Sequence, residues 1–251
     1  MSLPTIWVFG DQLNRGIGAL AGATPQTHRV LFIESTSKIA SRKWHVQRAH
    51  FIVASMRKFA NELRTEGFHV DYRFAHSMCE GFDAHVLGFK PSEVVATEPN
   101  SYGARQLAAG LGVRTVPSNQ FLCHPEEYQT FLGTRKSIKM EDFYRWQRKR
   151  LNVLMDGNEP TGGRWNFDEE NRQPPPKTGH DRWPEPERSE LDEIDRAVLE
   201  SVQEHCFGKL PIGQWATTRN GALARLQFFV EHVLPMFGDH EDAMLKSNWH
   251  L

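Results

Sequence analysis

The chain is poor in the features that announce a chemistry outright. Its 251 residues include only three cysteines, Cys79, Cys123 and Cys206. They are far apart, odd in number and never in a CxxC spacing, which argues against a zinc or iron–sulfur site built from this chain alone. Reduced thiols in the cytoplasm are the default reading. No apolar run approaches the roughly 20 residues of a membrane helix. Met1-Ser2-Leu3-Pro4 leads straight into an apolar segment without the basic region or cleavage site of a signal peptide. The sequence therefore reads as a soluble intracellular protein with no membrane contact. Thirty basic residues against 31 acidic ones leave a net charge of -1, so no global field draws it to nucleic acid and any such contact needs a local patch. There is also no GxGxxG after the first apolar run, and Gly16-Ile17-Gly18 lacks a P-loop lysine. An ordinary dinucleotide or triphosphate cradle is unsupported.

What is present is enough for a large core, since 39% of the residues are hydrophobic and the length suits one large or two modest domains. Thr5-Ile6-Trp7-Val8-Phe9 and Val30-Leu31-Phe32-Ile33 read as buried parallel strands. Val70 to Phe74, Val94 to Thr97 and Val113 to Val116 add three more. Between Val46 and Leu63 the residues Ala49, Ile52, Val53, Met56, Phe59, Ala60 and Leu63 recur at three and four, which predicts an amphipathic helix with Gly67 as its stop. Strands alternating with helices imply a doubly wound parallel α/β sheet. Ligands in such sheets bind beyond the carboxyl ends of the strands. Gly10-Asp11-Gln12, Glu34-Ser35 and the segment from Glu98 to Tyr102 are thereby expected to converge on one crevice. Gly10 and Asp11 fit two roles, a turn glycine with a helix N-cap, or ligand contacts.

The middle of the chain is basic and aromatic. Arg135, Lys136, Lys139, Arg145, Arg148, Lys149 and Arg150 interleave with Phe143, Tyr144 and Trp146. Such a helix either meets phosphates or buries Met140, Phe143, Tyr144, Trp146, Leu151 and Leu154 with its charges in water. Gly162 to Arg172, GGRWNFDEENR, is too polar for core and too rich in large side chains for a flexible linker, so it is expected to be held in one shape by what it touches. A proline-rich connection follows from Gln173 to Pro184, marking a domain boundary. Leu191, Ile194, Val198 and Leu199 then suggest a helix. Thr217 or Thr218 caps another, whose Leu223, Leu226, Phe229, Val230, Val233 and Leu234 form an apolar stripe. The sequence stops at Trp249-His250-Leu251 without a closing element. That stripe is expected to pack on the first domain, on a second chain or on a longer protein.

Six segments taken in order resemble the deoxyribodipyrimidine photolyase-related family, the prokaryotic cryptochromes and iron–sulfur (6-4) photolyases. They are Gly10-Asp11-Gln12-Leu13, the helix from Gln47 to Leu63 with Ala54-Ser55-Met56-Arg57-Lys58-Phe59, Glu98-Pro99, Asp142-Phe143-Tyr144-Arg145, Gly162 to Arg172, and Phe229 to Leu245. The likeness spans nearly the whole chain, and the last two segments together are the most specific part of it.

The resemblance implies a Rossmann-like antenna domain over 1–130, an interdomain helix and proline-rich linker over 131–215, and the start of an all-helical FAD-binding domain over 216–251. In this family light excites a reduced flavin, which donates an electron to a pyrimidine lesion in DNA or feeds a signalling pathway. A lumazine-type antenna chromophore often sits near the ends of the first strands. Carried over by motif, Gly10, Asp11, Gln12, Glu34 and Arg48 would line its pocket. Glu98 and Tyr102 would join them, with Asn100-Ser101-Tyr102 standing where the family tends to have Gly-Glu-Trp and Tyr102 keeping an aromatic wall. Family members run to about twice this length, so FAD, the 4Fe-4S cluster, the catalytic histidines and most contacts to damaged DNA would follow Leu251, on this polypeptide or on a second chain. No catalytic residue is assigned within the sequence. The alternative is a stand-alone lumazine, flavin or nucleotide-binding module. His45 is expected to contact a chromophore or to be a satisfied surface residue, and Trp165 and Trp183 to be packing anchors rather than electron relays.

Overall fold

The computed structural model describes residues 2–174, 184 and 187–240. Most of the proline-rich connection, with Trp183, and the tail beyond His240 lie outside the described residues. The chain forms two compact units, Met1–Gln120 with Pro186–Gln227, and Phe121–Glu185 with Phe228–Leu251.

The first unit opens on β1 (Thr5–Trp7), β2 (Arg29–Ser35), α1 (Thr36–Ala40), β3 (Trp44–His45) and α2 (Val46–Thr65). It continues through β4 (Val70–Ala75), α3 (Met78–Phe89), β5 (Val94–Thr97), α4 (Tyr102–Gly110) and β6 (Arg114–Val116). Five of these strands form one sheet in the order β4-β2-β1-β5-β6, and every neighbouring pair is parallel. β1 and β2 are buried along almost their whole length, as befits strands covered on both faces. On one face Ile6, Val30 and Phe32 meet Met56, Phe59, Ala60 and Leu63 of α2. On the other, Trp7, Leu31 and Ile33 meet Phe82 of α3 and Ala108 of α4. A fully buried Leu or Phe on either face contributes about 1.5–3 kcal/mol. α2 runs for 20 residues because its apolar stripe persists that long. It ends where Gly67, at φ +93, takes a left-handed turn that side chains resist.

The second unit contains α5 (Pro125–Leu132) and α6 (Met140–Leu151), then the hairpin of β7 (Met155–Asp156) with β8 (Glu159–Pro160), and α7 (Asp168–Asn171). Phe131 lies 5.4 Å from Phe143 and 5.0 Å from Trp146, ring to ring, so α5 and α6 share an aromatic seam. α6 is shorter than the basic stretch, starting at Met140. Of the residues expected to be buried along it, Met140, Tyr144 and Leu154 are exposed at 77%, 39% and 63%, because the seam with α5 reaches only Phe143 and Trp146, whereas Arg148, expected in water, is buried.

The chain then returns to the first unit as α8 (Glu193–Val202), β9 (Cys206–Phe207) and α9 (Arg219–Phe228). Val198 and Val202 of α8 are fully buried against Val46, Ala49, Val53 and Ala54 of α2, and β9 pairs in parallel with β3. Thr218 Oγ1 accepts from Gly221 N–H at 3.2 Å, the cap expected for α9. A π-helical turn at Phe229–Val233 and α10 (Leu234–Phe237) belong to the second unit. There Gln173 N–H donates to Asp239 O at 2.9 Å. No helix among the described residues is long and apolar enough to cross a membrane.

Candidate binding crevice at the strand ends

In the order β4-β2-β1-β5-β6 the chain winds outward from β1 in one direction and then restarts from β1 in the other. The gap between the carboxyl ends of β1 and β5 is the switch point, the usual ligand position in such sheets. Gly10, Asp11 and Gln12 leave β1 there, and Glu98 to Tyr102 leave β5.

These two loops are tied together. The Gln12 side chain is 1% exposed, and its Nε2 donates to the carbonyls of Thr97 at 3.2 Å and Glu98 at 3.1 Å. Its Oε1 is buried with no partner, a costly arrangement for a polar atom unless something else supplies a donor. Asp11 is exposed, and its Oδ2 accepts from Asn100 Nδ2 at 2.9 Å. Gln120 Nε2 donates to Asp11 O at 2.7 Å, and Gln120 Oε1 stands 3.3 Å from the same Asn100 nitrogen. Of the two roles open to Asp11, the helix N-cap is not formed. Gln12 N–H bonds to Phe9 O at 2.9 Å to close a turn, the next helical turn starts only at Gly18, and the carboxylate is used by Asn100 instead. A Cβ at Gly10 would stand 2.9 Å from Met56 Sδ and 3.0 Å from Ile52 Cγ2, so the loop passes as close to α2 as a glycine permits.

Glu34, at the end of β2, also faces α2. Arg57 holds it in a fork, Nε to Oε2 at 3.0 Å and Nη2 to Oε1 at 2.7 Å. Tyr72 Oη donates to Oε2 at 2.8 Å. Burial, reinforced by the negative charge of Glu34, holds the Tyr72 hydroxyl far above its ordinary pKa, so it stays a donor at all working pH. Arg57 and Tyr72 were not singled out from the sequence. The available signals were a basic residue inside an apolar helical face and a tyrosine on the inward alternation of its strand.

Gly10, Asp11, Gln12 and Glu98 thus meet at the switch point. Gly10 and Glu34 abut α2 at neighbouring positions, Ile52 and Met56 for the first and Arg57 for the second. Arg48 is exposed on the first turn of α2, its guanidinium carbon 4.6 Å above the Trp44 ring. Tyr102 begins α4 and is 79% exposed. Glu98 pairs loosely with Arg105 at 3.4 Å. His45 caps α2, its Nδ1 accepting from Gln47 N–H at 3.2 Å, and its ring lies 5.3 Å from Phe207.

The second unit carries its own largely apolar groove of about 820 Å³, lined among others by Phe143, Tyr144, Arg148, Trp165 and Phe167. Trp165 is ringed by cations, with Arg145 at 5.4 Å, Arg148 at 5.3 Å and Lys149 at 5.4 Å from its centroid. Arg164 donates to Glu170 at 2.6 Å. The segment from Gly162 to Arg172 is thereby held against α6 through its tryptophan. Among the described residues no three His, Cys, Asp or Glu side chains gather to hold a metal.

The fold is a doubly wound α/β domain whose switch point lies between β1 and β5, the place where sheets of this kind take their ligands. A profile of the deoxyribodipyrimidine photo-lyase-related protein family matches residues 6–216, and the chain belongs to that family. It is 33% identical to a (6-4) photolyase of Agrobacterium fabrum over 259 residues, covering 97% of this chain and 50% of that protein. A 41-residue stretch is 46% identical to the uncharacterized protein R852 of Acanthamoeba polyphaga mimivirus, covering 16% of this chain and 21% of that one. The chain spans about half the length of the photolyase it matches.

Proposed function

We propose that this chain is the α/β, chromophore-binding portion of a photolyase-type flavoprotein acting in light-dependent DNA repair or blue-light sensing in the cytoplasm. The observation that carries this reading is the buried, unpartnered Oε1 of Gln12 at the switch point, beside the Asp11–Asn100–Gln120 hydrogen bonds. An acceptor kept dry in that position suits a ring N–H of a lumazine-type antenna. When bound, such a group would absorb light and pass the excitation to a flavin. On this reading Gln12 orients the ring, Asp11 and Glu98 polarise the rim, Gly10 leaves room for the loop against α2, and Tyr102 with Arg48 flanks the entrance.

A 4Fe-4S cluster does not fit the cysteines among the described residues, and we place FAD with it outside this domain. Cys79 is exposed while Cys123 and Cys206 are half-buried, and no metal-ligand cluster forms among the described residues. In the proposed assembly these groups, and the damaged DNA, are held by a helical portion, continuous with this chain or supplied by a second one.

The alternative is a self-sufficient module for a lumazine, a flavin or a small nucleotide, favoured by the β4-β2-β1-β5-β6 order, which is the arrangement of nucleotide-binding sheets. Titration of the purified chain with a ribityllumazine, FMN and AMP, followed by fluorescence and calorimetry, separates the readings. Saturable lumazine binding that Asp11→Ala weakens about tenfold, roughly 1.4 kcal/mol, is the expected result. Binding of AMP without lumazine would favour the nucleotide module. No binding of any of the three by the folded chain would end both readings.

A further inference from the structure

β4 is an outer strand of the five-stranded sheet. Val30 N–H bonds His69 O at 3.0 Å, and the pairing runs from Val30 opposite Val70 to Ser35 opposite Ala75. In a parallel ladder alternate residues turn their backbone groups to the same neighbour. Asp71 and Arg73 therefore bond towards β2, while Val70, Tyr72 and Phe74 direct their N–H and C=O groups outward. The side chains of the same three residues share one face of the sheet. Phe74 is 67% exposed, its ring 5.3 Å from that of Tyr72 and 5.1 Å below the Arg57 guanidinium. Natural proteins usually protect such an edge, because free backbone groups beside apolar side chains invite another strand.

We propose that β4 pairs with β4 of a second copy of this chain, antiparallel about a two-fold axis at Tyr72. The charges of the strand select both the partner and the register. A two-fold centred on Asp71 would set Asp71 opposite Asp71, and one centred on Arg73 would set Arg73 opposite Arg73. Like charges directly opposite are destabilising. Centred on Tyr72, Asp71 stands opposite Arg73 and Val70 opposite Phe74 at both ends, and the outward-facing groups of Val70, Tyr72 and Phe74 fall into hydrogen-bonded pairs. Asp71 already accepts from Arg73 Nε at 2.6 Å and lies 2.6 Å from His85 Nδ1 on its own chain. The two pairs would then form a row of alternating charge across the seam. Phe74, unpartnered by any apolar side chain but Tyr72 among its ring contacts, gains Val70 of the copy.

A single pair of six-residue strands is a small interface, so the dimer is expected to form with rising concentration rather than permanently. Sedimentation velocity across the micromolar range on the 251-residue chain should show a monomer–dimer equilibrium. Phe74→Asp, at an exposed position, should weaken it at least tenfold. Hydrogen exchange on the unaltered chain gives an independent reading, with the amides of Val70, Tyr72 and Phe74 slowing as concentration rises. A chain that stays monomeric throughout, a dimer that Phe74→Asp leaves intact, or exchange at those amides that ignores concentration would each overturn the proposal.

Discussion

His50 Nε2 lies 3.1 Å from Asp195 Oδ1, with the two side chains 1% and 3% exposed. They are joined across 145 residues of sequence, from the second turn of α2 to the first turn of α8. Asp195 Oδ2 also takes Lys58 Nζ at 2.7 Å. The same ammonium reaches Asp192 at 2.8 Å and Thr217 Oγ1 at 2.8 Å. α8 is thus fastened to α2 by an apolar seam with one buried carboxylate at its centre.

Removing that carboxylate leaves the buried His50 ring without its partner and Lys58 with only Asp192 and Thr217. Asp195→Ala is expected to cost about 3–5 kcal/mol, the usual penalty for breaking one partner of a buried pair. Urea unfolding of the variant measures it, and a loss below about 1 kcal/mol would show that water already screens the pair.

Burial outweighs the attraction of Asp195 at His50 and lowers its pKa below the ordinary histidine value. The unfolded chain therefore binds a proton here more readily than the folded one. This contribution to stability is complete above about pH 6.5 and is lost as pH falls below it towards the lowered folded value. His28 is shifted the same way, chiefly by burial, so the variant rather than the slope identifies the residue. Urea midpoints at about pH 7.5 and about pH 5.5 should fall on acidification, and His50→Gln should flatten the difference. An unaltered slope in His50→Gln would assign the effect elsewhere.

Gly213 sits at φ +86, where a Cβ would stand 1.9 Å from the carbonyl oxygen of Ser189. The Gly213 backbone is already committed there, since its carbonyl accepts from Ser189 N–H at 2.9 Å. Gly213→Ala should cost at least about 1–3 kcal/mol from the backbone conformation alone, with more from the displaced strand of chain. A thermal midpoint within a degree or so of the parent would contradict this reading.

Trp165 is the side chain through which Gly162 to Arg172 grips α6, between Arg145, Arg148 and Lys149. Each such contact is worth about 0.5–1 kcal/mol at a partly exposed site. Trp165→Ala should leave the first unit's melting unchanged and open the 162–172 segment to limited proteolysis. Identical digestion patterns for the two proteins would mean that the segment is held by its own ion pairs, such as Arg164 with Glu170.

Much of the first unit was legible without coordinates. Period-two and period-3.6 patterns reflect burial on one face, and that constraint is local, so the sheet strands, α2 and the threonine cap of α9 could be read directly. Gly10, Asp11, Gln12 and Glu98 were legible as a group because parallel strands oblige their carboxyl ends to share an edge. Arg57 and Tyr72 were not, since periodicity places a basic residue on an apolar helical face and a tyrosine on an inward alternation without naming Glu34 as their common partner. Asp11 stayed open between helix cap and ligand contact because Asp before a run of mixed polarity fits a cap and a turn equally.

The sequence by itself determined an α/β chain of the photo-lyase-related family, a parallel sheet and the loops that meet at its edge. Only the tertiary structure decided that α8 comes back across 145 residues to lock on α2 through Asp195, that Gln12 keeps a buried, unpaired oxygen beside the switch point, and that β4 lies at an outer edge of the sheet. The physical reason is that burial periodicity is written residue by residue, whereas partners for buried charge and polar atoms are chosen by proximity in space, which the order of the chain does not encode.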